Sequence, residues 1–241
     1  KIGNAEATEA LAELVETTSG SLHRDVLDAY LQCADKLAEE GNQAGALAIY
    51  QQVYNADEPT AIRAAAVTGL VRHSDNPGTQ ILNVLRQDNQ SMQAVVIPLI
   101  NELPEIGNLE AIANQYSNLE PRAQIQLITA LEQRGDPAVR DVVVQAIDSG
   151  NEQVQLAAVQ ALRSVGSASD VSLLVQIAAR SSADLKETAR ASLYRLTGES
   201  VDQQIISMIS PALAQEKFEL VRAVGQRQIQ SAVDNILGTA R

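Results

Sequence analysis

Two histidines, one cysteine and a polar series at regular intervals are the groups in this 241-residue chain with chemistry to offer. His23 with Asp25, and His73 with Asp75, could begin a metal site, but no further His or Cys stands at ligand spacing, so no metal is expected. Cys33 falls among Leu31, Ala34 and Leu37 and reads as a small buried apolar residue. A nucleophile needs a nearby base and an orienting group, and nothing here supplies them. Gly135-Asp136-Pro137 and Gly166-Ser167 read as turns, not as a loop that cradles phosphate. No enzyme and no cofactor are expected. The polar series is Arg63, Gln93, Gln124, Gln155, Lys186 and Lys217, and its constant spacing points to the elements that carry it.

Seven residues beyond each member stands an apolar anchor: Leu70, Ile100, Leu131, Leu162, Leu193 and Val224, separated by 30, 31, 31, 31 and 31. Four residues before each anchor is another apolar residue, from Ala66 and Val96 through Leu127, Ala158 and Ala189 to Leu220. A second apolar series, Leu82, Ile112, Val143, Leu174, Ile205 and Ile236, keeps the same interval. Two apolar helices per unit of about 31 residues make an all-α chain, a solenoid of stacked helical hairpins.

Second helices are expected at 59–73, 90–103, 120–134, 151–165, 182–197 and 215–226. First helices are expected at 77–87, 108–117, 137–148, 168–180 and 200–213, with another opening near 228. Asn76-Pro77 and Asp136-Pro137 place a capping side chain before a proline at the first helical position. Pro98, inside its helix, should bend it. Asp141-Val142-Val143-Val144 is strand-like by propensity, but the repeat register should override that preference. Residues 1–57 read as helical hairpins outside the 31-residue register, and 58–241 as the regular part of one continuous stack. Lys1-Ile2-Gly3-Asn4 looks like a helix end and turn, and Ile236 opens a further unit, so a piece cut from a longer chain is expected.

Apolar residues make up 45% of the chain and aromatics 2%, so Ala, Leu, Ile and Val must fill the core. The formal charge of −12 repels phosphate backbones, which argues against nucleic acid and suits a basic protein partner. No apolar run approaches the roughly 20 residues that cross a bilayer, so no membrane insertion is expected.

Ile62-Arg63-Ala64-Ala65-Ala66-Val67-Thr68-Gly69-Leu70 and Val154-Gln155-Leu156-Ala157-Ala158-Val159-Gln160-Ala161-Leu162 resemble the second helix of HEAT repeats, of the short bacterial type. The resemblance covers about 58–241, and more loosely the rest. Near the N-terminus Tyr30, Gly41, Ala46, Tyr50 and Pro59 resemble a tetratricopeptide unit. The HEAT resemblance implies a right-handed α-α superhelix whose second helices line a concave groove. It also implies a hydrogen-bonded ladder in which a turn Asp pairs with the polar residue six positions on, as Asp57 with Arg63, or Asn118 with Gln124 through amides.

Positions two before and two after each anchor point about 160° from the apolar face. From this stripe we take Thr68, Arg72, Glu102, Gln133, Gln160, Tyr194, Arg195 and Arg222 as candidate protein-binding residues. The function expected is a non-enzymatic scaffold, monomeric as an excised piece, presenting its groove to a protein or peptide. Two other readings stand beside it: a phycobilin-lyase-like HEAT protein, and a structural accessory region of a larger bacterial enzyme.

Overall fold

Helices that are apolar on one side only must be covered, and a chain that repeats them every 31 residues can cover each pair with the next. The structure, a computed structural model, describes residues 5–181, 183–198 and 200–232, and among them every regular element is helical. The chain divides into two units, 1–118 and 119–241.

Unit 1 contains α1 (Ala5–Thr17), α2 (Gly20–Glu39), α3 (Gln43–Asn55), α4 (Thr60–Arg72), α5 (Pro77–Leu85), α6 (Gln90–Val96), α7 (Leu99–Glu102) and α8 (Leu109–Ala113). Consecutive helices from α1 to α7 pack on one another, while α2, α4 and α6 also touch in succession as one row. Unit 2 contains α9 (Pro121–Arg134), α10 (Arg140–Ala146), α11 (Glu152–Val165), α12 (Val171–Arg180), α13 (Ala183–Arg195), α14 (Val201–Ile209) and α15 (Ala214–Arg227). Its second helices α9, α11, α13 and α15 form one row, with α10, α12 and α14 on its other side. The core lies between the rows: all six anchors are buried, and so are the described members of the second series. Cys33 is wholly buried within α2. Of the helix expected to open near 228, a 3-10 turn at Gln230–Ala232 is described; Ile236 and residues 1–4 lie outside the described residues.

Local structure follows the expected punctuation with one exception. Pro98 divides its helix into α6 and α7, as a residue without an N–H must. The strand-like Asp141–Val144 is helical within α10, where Val142 and Val143 are buried. Asp136 accepts from the Ala138 N–H, a true cap. Asn76 makes no side-chain cap, because the Gly78 N–H donates to the Ile106 carbonyl at 2.7 Å instead. That approach requires glycine, since a Cβ at position 78 would lie 2.1 Å from the Gly107 carbonyl oxygen.

At Arg63, Gln93 and Gln155 the polar series reaches backbone carbonyls and not the side chains of the expected ladder. Arg63 donates to the Tyr54 carbonyl at 2.9 Å rather than to Asp57, and its guanidinium lies 5.4 Å from the Tyr54 ring centre. Gln93 donates to the Gln87 and Leu85 carbonyls at 2.8 and 3.3 Å, and Gln155 to the Ser149 carbonyl at 2.7 Å. Asn118 donates to Gln115. Carbonyls at and beyond a helix C-terminus lack intrahelical donors, and the long polar side chain of the following helix supplies one. At these three positions of the series the acceptor is backbone.

Candidate functional site

In unit 1 the exposed face of α4 adjoins α2. A groove of ≈ 380 Å³ runs between them, with Ala64, Ala65 and Gly69 among its lining residues beside Asp35 and His73. Thr68 and Arg72 line the same groove. Buried Tyr50 of α3 passes beneath, its ring stacked on His73 at 5.7 Å and its hydroxyl donating to Asp35. Burial, followed by Asp35, raises the Tyr50 pKa, so the phenol stays a donor. Gly69 makes room for it: a Cβ there would lie 2.3 Å from the ring. Thr68 is half-buried and donates to the Ala64 carbonyl of its own helix at 2.8 Å. Arg72 and Glu102, exposed, form an ion pair at 2.5 Å, so two of the candidate residues meet directly.

In unit 2 the stripe lies along α9, α11, α13 and α15. Gln133 is exposed on α9. Next to it Glu132 is buried, ion-paired with Arg163 and accepting from Gln160 at 3.1 Å. Gln160 is therefore tied to the neighbouring helix. Arg190 clasps buried Glu219 through two hydrogen bonds of 2.7 and 2.6 Å, and Glu187 through a third of 2.5 Å. Tyr194 is half-buried, and its enclosed hydroxyl has no hydrogen-bond partner among the described residues. Burial raises its pKa, opposed by the nearby positive charges of Arg222 and Arg190. Arg195 and Arg222 are exposed.

Sequence reasoning passed over the largest apolar group on this face. Phe218 is 58% exposed, with the Arg222 guanidinium 5.4 Å from its ring centre. Leu213 and Val221 are exposed on the same helix or its entry. Val221 occupies the repeat position of Ile128 and Val159, which are wholly buried. A pocket of ≈ 330 Å³ borders Phe218, lined also by Lys186, Arg190, Ala214 and Glu219. For the ion pairs beneath this face the signal lies in departures from the columns of the repeat. Arg190 replaces Val or Ile three before its anchor, and Glu219 appears 29 residues later; Glu132 is likewise followed by Arg163 after 31.

His23 bonds Glu58 at 2.9 Å and Thr18 at 3.3 Å, and His73 stacks on Tyr50. No group of three His, Cys, Asp or Glu that could hold a metal occurs among the described residues. No helix among them is long and apolar enough to cross a membrane.

Residues 109–194 match the family model described as HEAT repeats. No curated protein matches the chain.

Proposed function

We propose that the chain is a non-enzymatic interaction module that binds a protein or peptide on the exposed faces of its second helices. The observation that carries this reading is Phe218, open to solvent with Arg222 over its ring, beside a pocket and flanked by exposed Leu213 and Val221. Aromatic and guanidinium groups are the side chains that most often anchor protein interfaces, and contiguous exposed apolar surface marks such interfaces. The HEAT match supports it, since such repeats commonly mediate protein binding.

Selection from a random peptide library displayed against the whole chain tests this. Enriched sequences should lose at least about tenfold in affinity on Phe218→Asp with Arg222→Glu, as expected for a hot spot. Charge reversal at Arg72 and Arg195 should weaken them less. No enrichment, or binding unchanged by all four substitutions, overturns the reading.

A further inference from the structure

The acids of the chain are unevenly placed. Unit 1 holds sixteen acids and six bases, a formal −10, whereas unit 2 holds fourteen and twelve, a formal −2. The outward face of α2 carries Asp25, Asp28, Asp35 and Glu39, all exposed. Among the described residues, the ion pairs of unit 1 are His23–Glu58, Lys36–Glu39 and Arg72–Glu102, which leave Asp25, Asp28 and Asp35 without a cation. Asp35 differs from an ordinary surface acid because its carboxylate is fixed. Tyr50 donates to one oxygen, Gly69 lets the Tyr50 ring sit there, and His73 closes the other side of the ring. The carboxylate stands at the edge of a groove lined by Ala64, Ala65 and Gly69, where no side chain beyond a methyl group intrudes from those three positions.

We infer that the α2–α4 groove of unit 1 takes a lysine- or arginine-rich segment of a partner, one aliphatic stem on the alanine floor and its cationic head on Asp35. This rests on the interaction-module reading and names the partner's chemistry. Basic side chains bury their methylenes along apolar surface while the charge stays outside, which fits a small-residue floor with a carboxylate at its rim. Asp28 and Asp35 are seven residues apart, about 10.5 Å along the helix axis. A chain in the polyproline II conformation rises about 9 Å in three residues and brings every third side chain to one face, so cations at every third position reach both. Arg72 does not oppose such a guest, because Glu102 neutralises it.

The test uses the whole chain and a labelled twelve-residue peptide with Lys or Arg at every third position among Gly and Ser, read by fluorescence anisotropy. A Glu-bearing peptide of equal length is the comparison. The basic peptide should bind with an affinity that falls as salt rises, and the acidic one should not bind. Asp35→Asn should weaken binding about fivefold or more, as loss of a charged hydrogen-bond acceptor does. Ala65→Lys, which places a resident cation in the groove, should do the same without relying on Asp35. Asp148→Asn in unit 2 should stay within about twofold of wild type, the variation expected for a distant surface charge. Equal affinity for Asp35→Asn and wild type, equal binding of the acidic peptide, or an equal loss on Asp148→Asn overturns the inference. If the basic peptide fails while library-selected sequences still depend on Phe218, this inference falls and the broader reading stands; loss of both removes both.

Discussion

Unit 1 buries tyrosines between its helices, whereas unit 2 buries carboxylates beneath arginines. Tyr30, Tyr50 and Tyr54 each donate to a side chain, namely Gln52, Asp35 and Gln87. Glu132, Asp170 and Glu219 are held by Arg163, Arg140 and Arg190. A buried phenol is neutral and needs one acceptor, but a buried carboxylate needs a cation or it is severely destabilising. Unit 2 therefore commits guanidinium groups to its interior and ends nearly neutral. In unit 1 no ion pair among the described residues gives Asp25, Asp28 or Asp35 a cation.

The largest test of this contrast is Arg190→Ala, which strands the Glu219 carboxylate at 4% side-chain exposure. It should cost about 3–5 kcal/mol, seen as a lower urea midpoint and lost amide protection in α13 and α15 but not in α2–α4. In unit 1 the corresponding lesion is steric. Gly69→Ala drives a methyl group into the Tyr50 ring and should cost about 1–3 kcal/mol, whereas Gly225→Ala, which meets open space on α15, should be neutral or stabilising. Urea titration of both variants checks the sign.

Alkaline pH separates the units next. Burial raises the pKa values of Tyr30, Tyr50 and Tyr54, and in unit 2 that of Tyr194. Unfolded phenols ionise near pH 10, so above it the unfolded chain holds fewer protons than the native one and stability falls. Below pH 10 the contribution is fully present; above it the loss approaches about 1.4 kcal/mol per pH unit for each phenol until the native pKa is reached. Hydrogen exchange should show unit 1 opening first, and Tyr50→Phe should flatten its slope by one phenol. The smallest effect belongs to the exposed Arg72–Glu102 pair: Arg72→Ala should change stability by less than about 0.5 kcal/mol, and a larger loss by urea titration would give that pair a structural role.

Much of the fold was legible because its signal is local. The anchors, the helices they mark, the break at Pro98 and the helical state of Asp141–Val144 all follow from spacing within one repeat. Asn76 misled because its capping role is displaced by the Ile106 carbonyl, 28 residues away from Gly78. Spacing shows Arg63, Gln93 and Gln155 as polar positions on an apolar face, but it does not distinguish a side-chain acceptor from the carbonyls they reach. Of the candidate surface residues, Thr68 and Gln160 bond to Ala64 and Glu132, whereas Arg195 and Arg222 stand in solvent as the stripe implies. Phe218 escaped because an aromatic residue in a helix ordinarily signals core, and only its neighbours in space show it to be open.

Cys33 has a practical consequence. It is the chain's single thiol and is completely enclosed in α2, so an alkylating reagent can meet it only when that part of the molecule comes open. The rate of labelling in unmodified protein thus clocks the breathing of the N-terminal half alone, with the C-terminal half silent.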